Sequence, residues 1–172
     1  GFPYSVVNSL SEVLFKQLGA SLQAIGLTAL FHLPWNLKLL WGPFVDGYGT
    51  KRQWMLLMEA LIVAVLVLLA VVATGPSALL FASGVFIALA FLSATHDIAI
   101  DGFYMAALDE DDQSRFVGYR AAAYRVAMLV VSGPILIVAG KYGWLAGLGA
   151  CAVGMGALLA FHVIYLPKNE VP

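Results

Sequence analysis

The sequence predicts an all-α membrane protein built as a bundle of six transmembrane helices. Its 172 residues are 62% hydrophobic, and their mean hydropathy is +0.91. Only 11% of the residues are charged, whereas a soluble domain of this size needs far more charge to cover its surface. The apolar residues also fall into runs of about 20, which is the length that crosses the hydrocarbon core of a bilayer.

Turn signals divide the chain into six helical segments. The first, over about residues 1–15, is shorter than a full span and is predicted to be an incomplete helix. The second, over about 21–44, begins at Ser21, a residue type that caps helix N-termini. The third, over about 53–73, contains Glu59 as its only charge, and the fourth, over about 78–108, follows a Thr-Gly-Pro-Ser turn.

The last two segments cover about 114–139 and 144–166. Gly133-Pro134 should bend the fifth helix, and Pro167 should end the sixth. The chain begins without methionine, and residues 167–172 read as the start of a connection. We therefore expect residues 1–172 to form one bundle of a longer membrane protein whose C-terminal half is absent from this chain.

Composition argues against several functions. Nine basic and ten acidic residues leave no excess of positive charge for a nucleic-acid partner. Cys151 is the single cysteine, so the chain has no internal disulfide. No set of His, Cys and carboxylate residues has ligand spacing, so neither a metal site nor a cofactor is predicted.

The basic residues predict the orientation in the membrane. Lys51, Arg52, Arg115 and Lys168 fall on one side, against Lys16 and Lys141 on the other. Because basic residues favour the cytoplasmic side, the 46–52 loop is predicted to be cytoplasmic. The lipid bilayer is thus a partner, and the expected location is a bacterial inner or plasma membrane, crossed several times.

The fourth segment carries three ionisable residues, His96, Asp97 and Asp101, inside or next to its apolar run. A charged group at such depth costs roughly 2.5 kcal/mol or more, so it needs a partner or a function. Asp97 and Asp101 share a helix face because they are four residues apart. His96 points about 100° away and either lines the same cavity or bonds a neighbouring helix.

Partners for these carboxylates are expected on the fifth segment, an antiparallel neighbour. Arg125 falls near mid-membrane and Arg120 about 7–8 Å closer to the cytoplasm. The predicted pairs are therefore Asp97 with Arg125 and Asp101 with Arg120. Lys38 lies at a depth similar to that of Glu59, although a lysine there can also extend its amine to the interface. His32 and His162 are predicted to be structural.

A second constellation lies between the second and third segments, where a small residue, an aspartate, glycines and two bases follow one another. One interpretation is a turn with basic anchors at the cytoplasmic surface, in which Asp46 caps a helix N-terminus. A simple turn does not require this specific order of a small residue, an aspartate, glycine and two basic residues. The members are Gly42, Asp46, Gly49, Lys51 and Arg52.

These residues resemble a known family. The 42–52 segment resembles the loop between helices 2 and 3 of the major facilitator superfamily, with Gly47 in place of the usual base. The segments 37–46, 93–102 and 124–133 resemble the AmpG-type muropeptide permeases and acetyl-coenzyme A transporters, which commonly have Gln at the position of His96. The resemblance implies the N-terminal six-helix half of a major facilitator fold.

The resemblance also implies a function. Such a protein is a secondary active transporter, a proton-coupled symporter that works by alternating access, with its site between two six-helix halves. The substrate would be a small muropeptide, acyl-coenzyme A or another anionic or amphipathic solute. Helices 1, 2, 4 and 5 would face the cavity and helices 3 and 6 the lipid. Asp46 would belong to a conformational latch that contacts the protein's own C-terminal half.

The candidate residues for proton coupling and substrate contact are Asp97, Asp101, Arg125, His96, Arg120 and Lys38. An alternative is an intramembrane lipid-modifying enzyme that uses Asp97 and Asp101 on a metal. Asp101-Gly102 lacks the following arginine that such enzymes place at fixed spacing, so an enzyme is not predicted. The other alternative, a membrane scaffold without transport activity, would have no need of a buried Arg125.

Overall fold

The computed structural model describes residues 1–167, and this range is helical, with short turns between the helices. Residues 168–172, which include Lys168 and most of the connection predicted over 167–172, lie outside the described residues. Six helical segments, α1 to α6, follow one another along the chain. Their breaks fall close to the turn signals of the sequence.

The first helix, α1, is continuous but contains one π-helical turn. It consists of Phe2–Ser5, the π-helical Val6–Leu10, and Ser11–Gln17. Its apolar face is fully buried and supplies Val6, Val7, Leu10 and Leu14 to the core. The sequence predicts this helix over about 1–15.

The second segment, α2, is broken into short pieces where a regular helix over 21–44 is predicted. α-Helical pieces alternate with 3₁₀ turns, because glycines and prolines interrupt the hydrogen-bond ladder. Proline removes one backbone N–H, and 3₁₀ turns are common where a helix is interrupted in this way. The pieces are Leu22–Gly26, Leu27–His32 (3₁₀), Leu33–Leu37, Lys38–Leu40 (3₁₀) and Gly42–Gly47.

Four helices within residues 1–167 are long and apolar enough to cross a membrane. These are α3 (Lys51–Val72), α4 (Ala78–Ala107), α5 (Glu110–Tyr142) and α6 (Trp144–Tyr165). α2 is not among them, because it is not a continuous helix, and its predicted crossing of the membrane stays a prediction. By length and composition, the structure shows an all-helical protein with four candidate spans.

The core lies where α1, α3 and α4 meet the second part of α5, from Val131 onward, and the first part of α6. Ile62, Leu66 and Leu69 of α3 are fully buried there. Phe86 of α4 stacks on Phe31 with ring centroids 5.8 Å apart. Among helices that lie in lipid, such close packing stabilises the bundle through van der Waals contact more than through exclusion of water.

The fifth helix divides into two parts that differ in packing. A π-helical turn over Val131–Ile135 contains Pro134, which is where the sequence predicts a bend. Beyond this turn, Gly147 of α6 packs so tightly on α5 that an added Cβ would lie 2.6 Å from Ala139 Cβ. The first part, Glu110–Val130, contains no buried residue. This part of α5 contacts the other helices through side chains that stay partly exposed, and a cavity lies beside it.

Candidate functional site

A cavity of about 750 Å³ lies between α4, the first part of α5 and the end of α6. It is mostly apolar and aromatic, with charged groups of both signs on its wall. That combination suits a ligand that has both apolar and charged parts. The polar and aromatic side chains of the wall include Tyr4, Trp35, Asp97, Tyr104, Tyr119, Arg120, Tyr124 and His162.

The aromatic part of the wall joins three helical segments. The Tyr4 ring of α1 lies 4.8 Å from that of Trp35 and 5.6 Å from that of Tyr124, measured between centroids. The Tyr4 hydroxyl is also 3.2 Å from His32 Nδ1. His32 is thus tied to α1 by a side-chain hydrogen bond. These rings present flat surfaces on which sugar or apolar groups can pack.

Residues of all six segments line this cavity, whereas the family resemblance implies helices 1, 2, 4 and 5 alone. Helices 3 and 6 are expected to face lipid, yet Met55 of α3 and Leu158 and His162 of α6 line this cavity. The opening therefore extends from the first part of α5 across to α6.

Asp101 joins α2, α4 and α5 through one carboxylate. Arg120 Nη1 donates a hydrogen bond to Asp101 Oδ1, and Lys38 Nζ lies 3.5 Å from Asp101 Oδ2. The predicted Asp101–Arg120 pair is therefore present, and Lys38 pairs with Asp101 rather than with Glu59. The Asp101 side chain is 29% exposed, so each ion pair stabilises the fold only modestly.

The predicted pair of Asp97 with Arg125 is not formed. Asp97 is half-buried on the cavity wall, whereas Arg125 is exposed. The ion pairs of residues 1–167 do not join them. Arg120 and Arg125 are five residues apart, which separates their directions by about 140° around the helix. Since Arg120 faces α4, Arg125 points away from it.

His96 and His162 both contact Glu59, a carboxylate that is not among the predicted site residues. His96 is buried and its Nε2 lies 3.1 Å from Glu59 Oε1, while His162 Nδ1 lies 2.6 Å from the same oxygen. His96 therefore bonds a neighbouring helix instead of lining the cavity. The signal in the sequence was an ionisable residue within the apolar run of each of three helices, namely Glu59, His96 and His162.

The loop after α2 is held by ion pairing instead of an aspartate cap. Lys51 Nζ lies 2.6 Å from Asp46 Oδ1 and donates to the Val45 carbonyl at 3.0 Å. Thr50 caps α3 in a capping box with Gln53, so the prediction that Asp46 caps a helix is wrong. Lys51 and Arg52 form the first turn of α3.

Two further contacts fix this loop to the bundle. A Cβ on Gly102 of α4 would lie 2.8 Å from Lys51 Cε, so the lysine stem packs on α4 beside Asp101. Arg52 Nη2 donates to the Val163 carbonyl at 3.1 Å, near the C-terminus of α6, where a cation is favourable. Gly49 has φ +67°, a conformation that glycine adopts without strain, and Gly42 begins the last piece of α2.

A helical chain with four candidate spans and charged groups on the wall of a cavity is a multi-pass integral membrane protein. Its sequence relatives make the assignment narrower: the chain is a distant homologue of AmpG-type transporters, which confirms that part of the resemblance. The homology covers part of their length. No family model matches the chain, and no solved structure matches it significantly.

Three relatives illustrate the homology. The chain is 30% identical over 151 residues to the putative transporter AmpG 4 of Rickettsia felis, and 31% identical over 151 residues to an uncharacterized protein of Haemophilus influenzae. It is 25% identical over 150 residues to the anhydromuropeptide permease of Escherichia coli K12. These alignments cover 81%, 84% and 84% of this chain but 35%, 35% and 30% of the relatives. The chain thus spans about a third of the length of the curated relatives it matches.

Proposed function

We propose that this chain is the N-terminal six-helix bundle of a proton-coupled solute symporter of the major facilitator type. The observation that carries the proposal is a cavity with charges of both signs, in a chain homologous to transporters. α1 and α2 would complete the six helices when the second bundle packs against them. Alternating access would then move the two bundles around a site between them.

The cavity favours an anionic or amphipathic solute, such as a muropeptide or an acyl-coenzyme A. Arg120 offers a planar guanidinium for a carboxylate or phosphate, and it lies over the Tyr104 ring at 5.7 Å. The aromatic residues of α1, α2 and α5 offer surfaces for sugar or acyl groups. The permease from Escherichia coli, by its name, carries an anhydromuropeptide, which makes this class the first to test.

Asp97 is the proposed coupling carboxylate of the cavity. It faces the cavity without an ion pair in the described range, so its proton can exchange while a solute is bound. Asp101, Arg120 and Lys38 would hold α2, α4 and α5 in one arrangement and release them in another. Arg125 would face the second bundle, and the 42–52 loop would act as the latch at the cytoplasmic side of a bacterial inner membrane.

Uptake by the full-length protein in proteoliposomes tests this proposal. Labelled anhydromuropeptide and acetyl-coenzyme A are supplied separately, with and without a pH gradient that is acid outside. We expect one of them to accumulate with the gradient, and Asp97→Asn to reduce that accumulation at least tenfold. The matched control is Asp111→Asn, in an exposed position, which should accumulate the solute as the parent does. Uptake that ignores the gradient, or that Asp97→Asn leaves unchanged, contradicts proton coupling.

The homology also weighs against the two alternatives. The functionally named relatives are transporters and a permease, which supports transport over lipid modification. Arg125 is exposed and so does not by itself argue against a scaffold without transport activity. Such a scaffold would also tolerate Arg120→Ala on the cavity wall. A transporter of anionic solutes would lose uptake in the same variant while remaining folded.

A further inference from the structure

We propose that Glu59, His96 and His162 form a buried proton-binding site, the proton trio, which exchanges protons with the cavity through His162. The site lies inside the bundle, between α3, α4 and α6. Its role in coupling rests on the proposed function, but proton binding itself does not. It would give the protein a second titratable site behind the cavity wall that carries Asp97.

The geometry of the proton trio is that of one carboxylate oxygen shared by two imidazoles. Glu59 Oε1 lies 3.1 Å from His96 Nε2 and 2.6 Å from His162 Nδ1. The Glu59 side chain is 0% exposed. It stands eight residues into α3, about 12 Å from the start of the helix, and so below the membrane surface.

Charge decides which protonation state this site favours. With two neutral imidazoles that donate to a carboxylate, the trio carries one negative charge. Within residues 1–167, the ion pairs of Glu59 are with His96 and His162, and none is with a lysine or arginine. An isolated charge in a low-dielectric interior is costly, and one added proton makes the trio neutral. The surroundings therefore favour a trio that has bound a proton.

The second oxygen of the carboxylate supports the same conclusion. Glu59 Oε2 is buried and has no hydrogen-bond partner within residues 1–167. A buried acceptor without a donor costs free energy, and the cost is larger for an ionised carboxylate. A structural ion pair would be expected to satisfy both oxygens. A group that takes up and releases a proton has a reason to keep one of them free.

His162 supplies the route by which a proton reaches Glu59. Its side chain is 20% exposed and lines the cavity that Asp97 also lines. An imidazole can take a proton on one nitrogen and give up the proton on the other. His162 would bind a proton at Nε2 and pass its Nδ1 proton to Glu59 Oε1. The ring returns to neutral, and the charge of the trio rises by one.

The site also has a link to the cavity wall through α4. His96 and Asp97 are consecutive residues of α4, so one turn of this helix carries both a member of the buried trio and the carboxylate of the cavity wall. The titratable and charged groups that face the site are His96 from α4 and His162 from α6, with Asp97 and Arg120 across the cavity. A change in the protonation of Glu59 alters the hydrogen bonds that join α3, α4 and α6.

Proton uptake by the purified full-length protein in nanodiscs tests the inference. A pH indicator counts the protons bound when the pH falls from about 8 to about 5, the range in which histidine-linked sites titrate. We expect Glu59→Gln to bind about one proton fewer than the parent. His96→Gln keeps an amide donor to Glu59 and should retain that proton. Asp97→Asn serves as the control at the cavity, and in that background Glu59→Gln should still remove a further proton.

The outcomes separate this inference from the proposed function. An unchanged proton count in Glu59→Gln overturns the proton trio, whatever the uptake assay shows. If Glu59→Gln does not fold, Glu59→Leu replaces it, since an apolar residue of similar volume often substitutes for a buried charged group. An unchanged proton count in that folded variant also overturns the proton trio. If Glu59→Gln binds one proton fewer while uptake by the parent protein does not depend on the pH gradient, the proton trio is retained and proton-coupled symport is rejected.

Discussion

At the scale of single residues, the direction in which each charged side chain points decides which ion pairs form. Asp101 contacts Lys38 and Arg120, while Arg125 lies on another face of α5 and is exposed. Reasoning from depth alone placed Arg125 beside Asp97, because depth along a helix says nothing about direction around it. The five-residue interval between Arg120 and Arg125 corresponds to about 140° of rotation around the helix, so the two arginines cannot both face α4.

A pair of double-mutant cycles distinguishes these contacts. Asp101→Asn combined with Arg120→Gln should show a coupling of about 0.5–1 kcal/mol in the free energy of unfolding, since the pair is partly exposed. Asp97→Asn combined with Arg125→Gln should be additive within about 0.3–0.5 kcal/mol. Reversible unfolding in mild detergent gives both values. Coupling in the second cycle and additivity in the first would reverse the assignment of partners.

At the scale of helical elements, the apolar runs predicted much of what the structure contains. α4 covers Ala78–Ala107 where the run predicts about 78–108, and α6 covers Trp144–Tyr165 where it predicts about 144–166. The broken form of α2 was not predicted, although Pro34 and Gly42-Pro43 signalled it. The contact of Glu59 with two histidines was not predictable, because it depends on how three helices are rotated against one another.

The close contact of α5 and α6 gives a prediction with a matched control. Gly147→Ala should destabilise the protein by about 1–3 kcal/mol, because its Cβ would lie 2.6 Å from Ala139 Cβ. Gly149→Ala adds the same methyl group to the same helix, at a position where no atom beyond the adjoining backbone of α6 lies within 4 Å of the added Cβ. It should be neutral or stabilising by about 0.5–1 kcal/mol, as expected for alanine in a helix. Equal melting temperatures for the two variants would show that the helices do not pack as described.

The capping box at the start of α3 gives a second prediction at this scale. Thr50→Ala removes the side-chain oxygen that accepts from the Gln53 backbone N–H at 3.2 Å. The loss should cost about 1 kcal/mol of stability. Asp46→Asn should cost less, since the Asp46 side chain is exposed and its pair with Lys51 is solvated. Chemical denaturation of the two variants compares them directly, and a larger cost for Asp46→Asn would contradict this description of the loop.

At the scale of the whole molecule, the orientation of the bundle remains a prediction from its basic residues. Gly47→Cys and Thr74→Cys lie at opposite ends of α3, which is about 33 Å long, and both positions are exposed. In a Cys151→Ala background, a membrane-impermeant thiol reagent added to intact cells should label position 74. Position 47 should react only after the membrane is opened, and the reverse pattern would invert the topology.

Proton movement during solute entry tests the proposal that this chain is the N-terminal bundle of a proton-coupled transporter. Full-length protein is reconstituted with a pH-sensitive dye trapped inside the liposomes, and unlabelled solute is added outside without any imposed gradient. We expect the liposome lumen to acidify when the transported solute is added. Asp97→Asn should abolish this signal, and Asp111→Asn should preserve it. Solute entry with no change in the luminal pH would contradict the account.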